Sequence, residues 1–163
     1  MLIIRDFRPG DEISICNIYN HYIRETVISF EEEPLTPAAM LQRVETVTET
    51  YPWLVATLDD ELVGYAYANR WNTRSSYRAT CESSIYLHKG HTGKGYGKTL
   101  FQALIARLRE LPLHCVVSGI ALPNEVSVRL HEYLGFEKVA HFRQVGNKFG
   151  NWVDVGYWEL LLD

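Results

Sequence analysis

The sequence predicts an α/β protein built on a mixed sheet with helices on both faces. Three observations carry this. Apolar residues recur with the two-residue period of strands in some stretches and the 3.6-residue period of helices in others. A loop holding Gly90, Gly93, Gly95 and Gly97 joins a short apolar run to an apolar-periodic helix. The run CVVSGIA at 115–121 is nearly continuous in apolar residues, as a central strand buried on both sides requires.

The elements follow in order. Residues 2–5 read as a short strand. Pro9 opens a helix to about residue 25, with Ile15, Ile18, Tyr19, Tyr22 and Ile23 at helical spacing and Asp11 and Glu12 in its first turn. Residues 26–34 (TVISFEEEP) form an irregular connection. Thr36 and Pro37 supply the N-cap and first position of a second helix, to about residue 50. Strands at 53–58 and 62–69 flank the hairpin turn Asp59-Asp60. The polar loop NTRSSYR at 72–78 precedes a strand at 80–87, and the glycine loop leads into a helix over 95–109. After the strand at 115–121, Pro123-Asn124 starts a helix to about residue 134, closed by Gly135. Strands at 136–145 and 152–162 complete the order β-α-α-β-β-β-α-β-α-β-β.

A chain of 163 residues is expected to form one domain over 1–163, long enough to bury about 70% of its unfolded surface. The net charge of −4 offers no basic excess for a nucleic-acid backbone. The opening MLIIRDFRPGDE lacks the form of a signal peptide, and no stretch approaches the ~18 apolar residues of a membrane span. Cys16, Cys81 and Cys115 are scattered, without CxxC spacing. Reduced thiols, no metal site and a cytoplasmic location are therefore expected.

A strand, a glycine-rich turn and a helix start make an anion site, because the first helical N–H groups lack intrahelical partners and the dipole favours negative charge. Two rival motifs fail by one residue each. A P-loop requires glycine where Thr92 stands, and a dinucleotide fingerprint requires one where Lys98 stands. The pattern that remains is G-x-G-x-G at 93, 95 and 97. A second block, ALPNEVSVRLHEYLGF, follows the buried strand and starts a helix at Asn124.

Together these blocks resemble the GCN5-related N-acetyltransferases (GNAT). More narrowly, the chain is similar to the phosphinothricin and methionine sulfoximine or sulfone acetyltransferase branch. The matching pieces are Arg74 with Tyr77-Arg78, Glu82-x-Ser84-x-Tyr86, PNEVSVRLHEYLGF, and Lys148-Phe149-Gly150-Asn151-Trp152 with Asp154-Val155. The resemblance implies the GNAT fold and acetyl-CoA as co-substrate, with its pyrophosphate on the amides of Gly93, Lys94, Gly95, Tyr96, Gly97 and Lys98. It places the pantetheine arm along Ile85, Tyr86 and Leu87, as an added strand would lie, with a backbone N–H near Tyr86 as oxyanion donor and Asn124 on the other wall. Thr92 departs from the Gln or Arg usual at its position, which lowers the expected cofactor affinity.

Acetyl transfer needs a neutral amine and a proton for the departing thiolate. Glu82 is the candidate base, directly or through water. His131 fills a slot that holds a general-acid Tyr in much of the superfamily and His in this branch; imidazole can donate to the thiolate or share the base role. Arg74, Ser75, Ser76, Tyr77, Arg78 and Lys148 are the candidate acceptor-binding residues, with Phe30, Trp71 and Trp152 available as walls. The implied activity is direct transfer, in a ternary complex, to the α-amine of a small amino-acid-like acceptor, with a detoxifying role. The branch also implies a homodimer. Other readings are acetylation of protein N-termini or lysine, a non-catalytic acyl-CoA-binding module, or a phosphotransferase. A covalent acetyl-Cys route through Cys81 is disfavoured.

Overall fold

The computed structural model describes all 163 residues, Met1–Asp163. The elements are β1 (Leu2–Asp6), α1 (Asp11–Glu25), α2 (Pro37–Thr48), β2 (Trp53–Leu58), β3 (Glu61–Arg70), β4 (Thr80–Leu87), α3 (Tyr96–Arg109), β5 (Cys115–Leu122), α4 (Glu125–Tyr133), β6 (Glu137–Lys148) and β7 (Asn151–Leu161). The order is the expected one, and the fold is mixed α/β. Two short 3-10 turns, Ser75–Tyr77 and Lys89–His91, lie in stretches that read as loop. No helix is long and apolar enough to cross a membrane.

The chain divides into two compact units. The first comprises Met1–Asn20, Leu35–Asn69 and Ser83–Pro112, the second His21–Pro34, Arg70–Glu82 and Leu113–Asp163. In the first, β1 and β2 pair antiparallel, β2 and β3 form a hairpin, and β3 neighbours β4. Asp59 and Asp60 both have positive φ, 49° and 69°, as a tight hairpin turn with the twist of its strands requires. α1 starts at Asp11 rather than Pro9, because Gly10 at φ +105° cannot belong to a right-handed helix. Arg5 then grips both oxygens of Asp11, at 2.7 and 2.9 Å. Thr36 caps α2 by accepting from the Ala39 N–H at 3.1 Å. α2 and α3 pack on β2, whose Trp53 stacks on Tyr65 and Tyr67 with ring centroids at 5.5 and 4.0 Å.

In the second unit, the strands run β4-β5-β7-β6. β4 pairs parallel with β5 over Thr80–Glu82, and the two other pairings are antiparallel. β5 is buried or half-buried at every position except Gly119. α4 packs on β5 and ends in a Schellman motif: Gly135, at φ +94°, donates to Glu132 O, and Phe136 N donates to His131 O. β6 runs on to Lys148, three residues beyond its expected end. The register steps from Phe142↔Val155 to Gly146↔Val153, so residues 143–145 bulge opposite Asp154 and pairing resumes. The hairpin then closes through Phe149 and Gly150, at φ 54° and 75°.

Candidate active site

The glycine loop belongs to the first unit. His88 Nδ1 accepts from the Gly90 N–H at 3.1 Å and shapes the turn that precedes it. Gly93 and Gly95 have φ +74° and +84°, and a Cβ built at either would meet no atom within 4 Å. Packing therefore does not demand glycine there. The backbone conformation does, and the space stays open to an approaching ligand. Gly95 caps α3 and, having no side chain, makes no capping bond to the first amides of the helix. Lys94 and Lys98 are exposed beside it, and Gly97 is buried in its first turn. Backbone donors, a helix dipole and two ammonium groups fit a pyrophosphate. Thr92 turns back on its own loop, donating to Lys89 O at 3.4 Å.

Ile85, Tyr86 and Leu87 form the carboxyl end of β4 and are half-buried. Tyr86 is held edge-on to Tyr19 at 5.1 Å and leans on Tyr65 at 5.5 Å. The rail expected for the pantetheine arm is thus braced by an aromatic cluster.

Glu82 and the acceptor-side residues belong to the second unit. Paired residues of a sheet point to the same face, and the face alternates along each strand. Glu82 pairs with Val117, and Gly119 with Tyr157, so these four share one face. Cys81, Ser118 and Trp158 share the other. Glu82 is half-buried, and burial pushes its carboxyl above the usual carboxylate range. A carboxylate so raised holds a proton more tightly and is the better base. Cys81 is fully buried, and burial above all pushes its thiol up to about 12. A covalent route needs a thiolate, which this cysteine does not supply near neutral pH.

His131 lies on the other face from Glu82, because Trp158 Nε1 donates to Glu132 Oε1 of α4 at 3.2 Å. It is 3% exposed, and its ring sits edge-on to Phe136 at 5.1 Å. Nδ1 lies 2.7 Å from Ser127 O. A carbonyl can only accept, so Nδ1 carries the proton and Nε2 the lone pair. Burial lowers the pKa of the imidazole despite the Ser127 bond. The ring is therefore neutral near pH 7 and must take a proton before it can give one. Asn124 caps the same helix, with Oδ1 accepting from the Ser127 N–H at 3.2 Å. Its amide N–H donors remain as what it can offer a ligand.

The lowered pKa of His131 also bears on stability. Its contribution is complete above the unfolded value of ~6.5 and is lost as pH falls through that value and below. Between pH 7 and 5 the melting temperature of the native protein is expected to fall more steeply than that of His131→Gln, as read by thermal unfolding in both buffers.

Arg74, Ser75, Ser76, Tyr77 and Arg78 form an exposed 3-10 turn just before β4. Arg78 Nη1 donates to Ser75 O at 3.1 Å, and Tyr77 is edge-on to Trp71 at 5.2 Å. Lys148 departs from its expected place among them. It is 1% exposed, and Nζ donates to Ser29 O at 2.6 Å. Burial lowers its pKa against the pull of Glu32 and Glu31. One strand position away, a Cβ at Gly146 would run into the Phe30 ring. Both contacts strap the segment before Pro34 onto β6, so the Lys148 ammonium is committed to structure. Lys148→Met removes the ammonium donor from the Ser29 carbonyl and is expected to cost about 1–3 kcal/mol in chemical denaturation.

Tyr157 escaped the sequence reading. The signal for it was Gly119, an isolated glycine inside an apolar strand, which marks close approach of another group.

The sequence model of the acetyltransferase (GNAT) family matches residues 15–136. The chain belongs to this family and is an acetyl-CoA-dependent N-acetyltransferase. Among its relatives is the phosphinothricin N-acetyltransferase of Streptomyces viridochromogenes, 39% identical over 156 residues that cover 96% of this chain and 85% of the relative. The L-methionine sulfoximine/L-methionine sulfone acetyltransferase of Salmonella typhimurium is 36% identical, covering 99% of this chain and 95% of the relative. The crystal structure of a phosphinothricin acetyltransferase from Sinorhizobium meliloti in complex with acetyl-CoA superposes with a TM-score of 0.96 at 34% identity, over 99% of this chain and 88% of that one.

Proposed function

We propose that this enzyme acetylates the α-amine of a small amino-acid-like acceptor of the phosphinothricin, methionine sulfoximine or methionine sulfone type, by direct transfer in a ternary complex. The observation that carries the reading is Glu82, a half-buried carboxyl raised by burial, four residues after Arg78 in the turn that presents Arg74 and Arg78. The names of the relatives support the acceptor class.

When bound, acetyl-CoA supplies the activated thioester. The amides of Gly93–Lys98 hold its pyrophosphate, Ile85, Tyr86, Leu87 and Asn124 hold its arm, and a backbone N–H near Tyr86 takes the charge growing on the carbonyl oxygen. Arg74, Ser75, Ser76, Tyr77 and Arg78 offer donors for the acceptor's carboxylate and polar tail. Glu82 removes a proton from the acceptor's ammonium, freeing the lone pair that attacks. A second proton leaves the nitrogen after attack; Nε2 of His131 accepts it and returns it to the departing thiolate. The two groups thus divide the proton work, one on each face of the sheet. The reading includes a cytoplasmic homodimer with a detoxifying role.

A thiol-release assay with acetyl-CoA over phosphinothricin, methionine sulfoximine, methionine sulfone and free amino acids, with peptides as controls, tests it. Turnover is expected with at least one amino-acid analogue. Turnover confined to peptides would replace the reading with protein acetylation.

A further inference from the structure

Gly119 is the one exposed position in β5, and the reason is the neighbour it faces. A Cβ there would come to 3.2 Å from Cζ and 3.4 Å from the hydroxyl oxygen of Tyr157. The Tyr157 ring therefore lies across β5 in a notch that only glycine leaves open. Because Tyr157 stands on β7, a ring reaching over β5 carries its hydroxyl towards β4, on the face that bears Glu82. Phe142 backs the ring edge-on at 6.0 Å. Glycine in a strand interior often marks such a close approach of another group.

We propose that Tyr157 is the positioning residue of the proton-accepting site, its hydroxyl orienting Glu82, directly or through one water, towards the acceptor's ammonium. The inference rests on the role given above to Glu82. Tyr157 donates its O–H and keeps its proton throughout. The ammonium proton passes to the carboxylate, or to a water that hands a proton to the carboxylate, and nothing else is exchanged. Burial first, and the charge of Glu82 second, raise the Tyr157 hydroxyl above the usual tyrosine range, so it remains a donor at working pH. The other titratable groups that alternation puts on this face are Tyr86 of β4, Cys115 of β5, Glu159 of β7, and Glu137 and Lys148 of β6. Glu159 and Glu137 are acceptors only when ionised, and burial and Glu159 raise the Cys115 thiol. Tyr157 is the hydroxyl whose ring, laid across β5 from β7, runs towards Glu82, whereas the Tyr86 ring is held against Tyr19 and Tyr65.

The test is Tyr157→Phe, which removes the hydroxyl and keeps the ring. The expected result is a fall in kcat of about tenfold to a hundredfold, the worth of a hydrogen bond to a charged group, with acceptor KM little changed. The acid limb of kcat moves to higher pH, because a donor that favoured the carboxylate has gone. Isotope-edited NMR of the Glu82 carboxyl, without acceptor, is expected to show the same upward shift. Gly119→Ala, which displaces the ring but keeps the hydroxyl, is expected to lower kcat in the same direction. Glu82→Gln with Tyr157→Phe is expected to be no worse than Glu82→Gln alone. An unmoved Glu82 titration in a folded Tyr157→Phe protein overturns the inference. So does a loss confined to Gly119→Ala, which would make the contact mere packing. The titration needs no acceptor, so failure of the acceptor reading and failure of this inference are read separately.

Discussion

Glu82→Gln is expected to lower kcat/KM for the acceptor by about a hundredfold to a thousandfold, the usual worth of a positioned general base, while acetyl-CoA binds as before. Gln keeps the shape and hydrogen-bonding reach of the side chain but cannot take the ammonium proton. The native pH profile should rise as Glu82 ionises, above the ordinary carboxyl range, since burial raises its pKa. In the variant that limb should disappear, leaving only the rise due to the free amine's own titration. Stability should move the other way. A carboxyl whose folded pKa exceeds its unfolded one favours folding when protonated, and that advantage is lost as pH rises through the folded value. Gln, never charged, should leave the protein at least as stable at pH 7. Steady-state kinetics from pH 5 to 9 with thermal unfolding check both. A variant with native kcat/KM and an intact acid limb would remove Glu82 from the chemistry.

Gly95→Val is expected to weaken acetyl-CoA binding by about a hundredfold or more. Its φ of +84° is one that a β-branched residue adopts at a cost of about 1–2 kcal/mol. The added side chain also projects into space that holds no protein atom within 4 Å, where the phosphates are proposed to sit. Calorimetric titration with acetyl-CoA and a denaturant melt without it separate the two effects. Loss of stability with unchanged affinity would show that the loop is a turn and nothing more. Gly95→Ala should keep much of the fold and still bind less tightly, because even one methyl group raises the approach distance to the backbone amides.

Local chemistry made most of the architecture legible. Thr36-Pro37, Asp59-Asp60, Asn124 and Gly135 each carry a backbone preference that acts over a few residues, and each stands where that preference places it. Errors arose where a distant strand intervened. The bulge at 143–145 exists because Asp154 of β7 accepts from the Gln144 N–H at 2.8 Å and bonds His141 Nε2 at 2.8 Å. Nothing local to β6 announces that partner. The same holds for Lys148: its bonding partner is the Ser29 carbonyl, 119 residues away in the chain, which nothing beside Phe149-Gly150-Asn151 announces.

By itself the sequence determined the order of elements and the glycines at the start of α3, and the family resemblance singled out Glu82 and His131 as candidates. Tertiary structure alone decided what each can do with a proton. Register put Tyr157 on Glu82's face and α4 on the opposite one. Burial raised the one carboxyl and kept the one imidazole neutral. The cause is physical: helix and turn signals are written in neighbouring residues, whereas a pKa and a shared face are set by whatever the folded chain brings alongside.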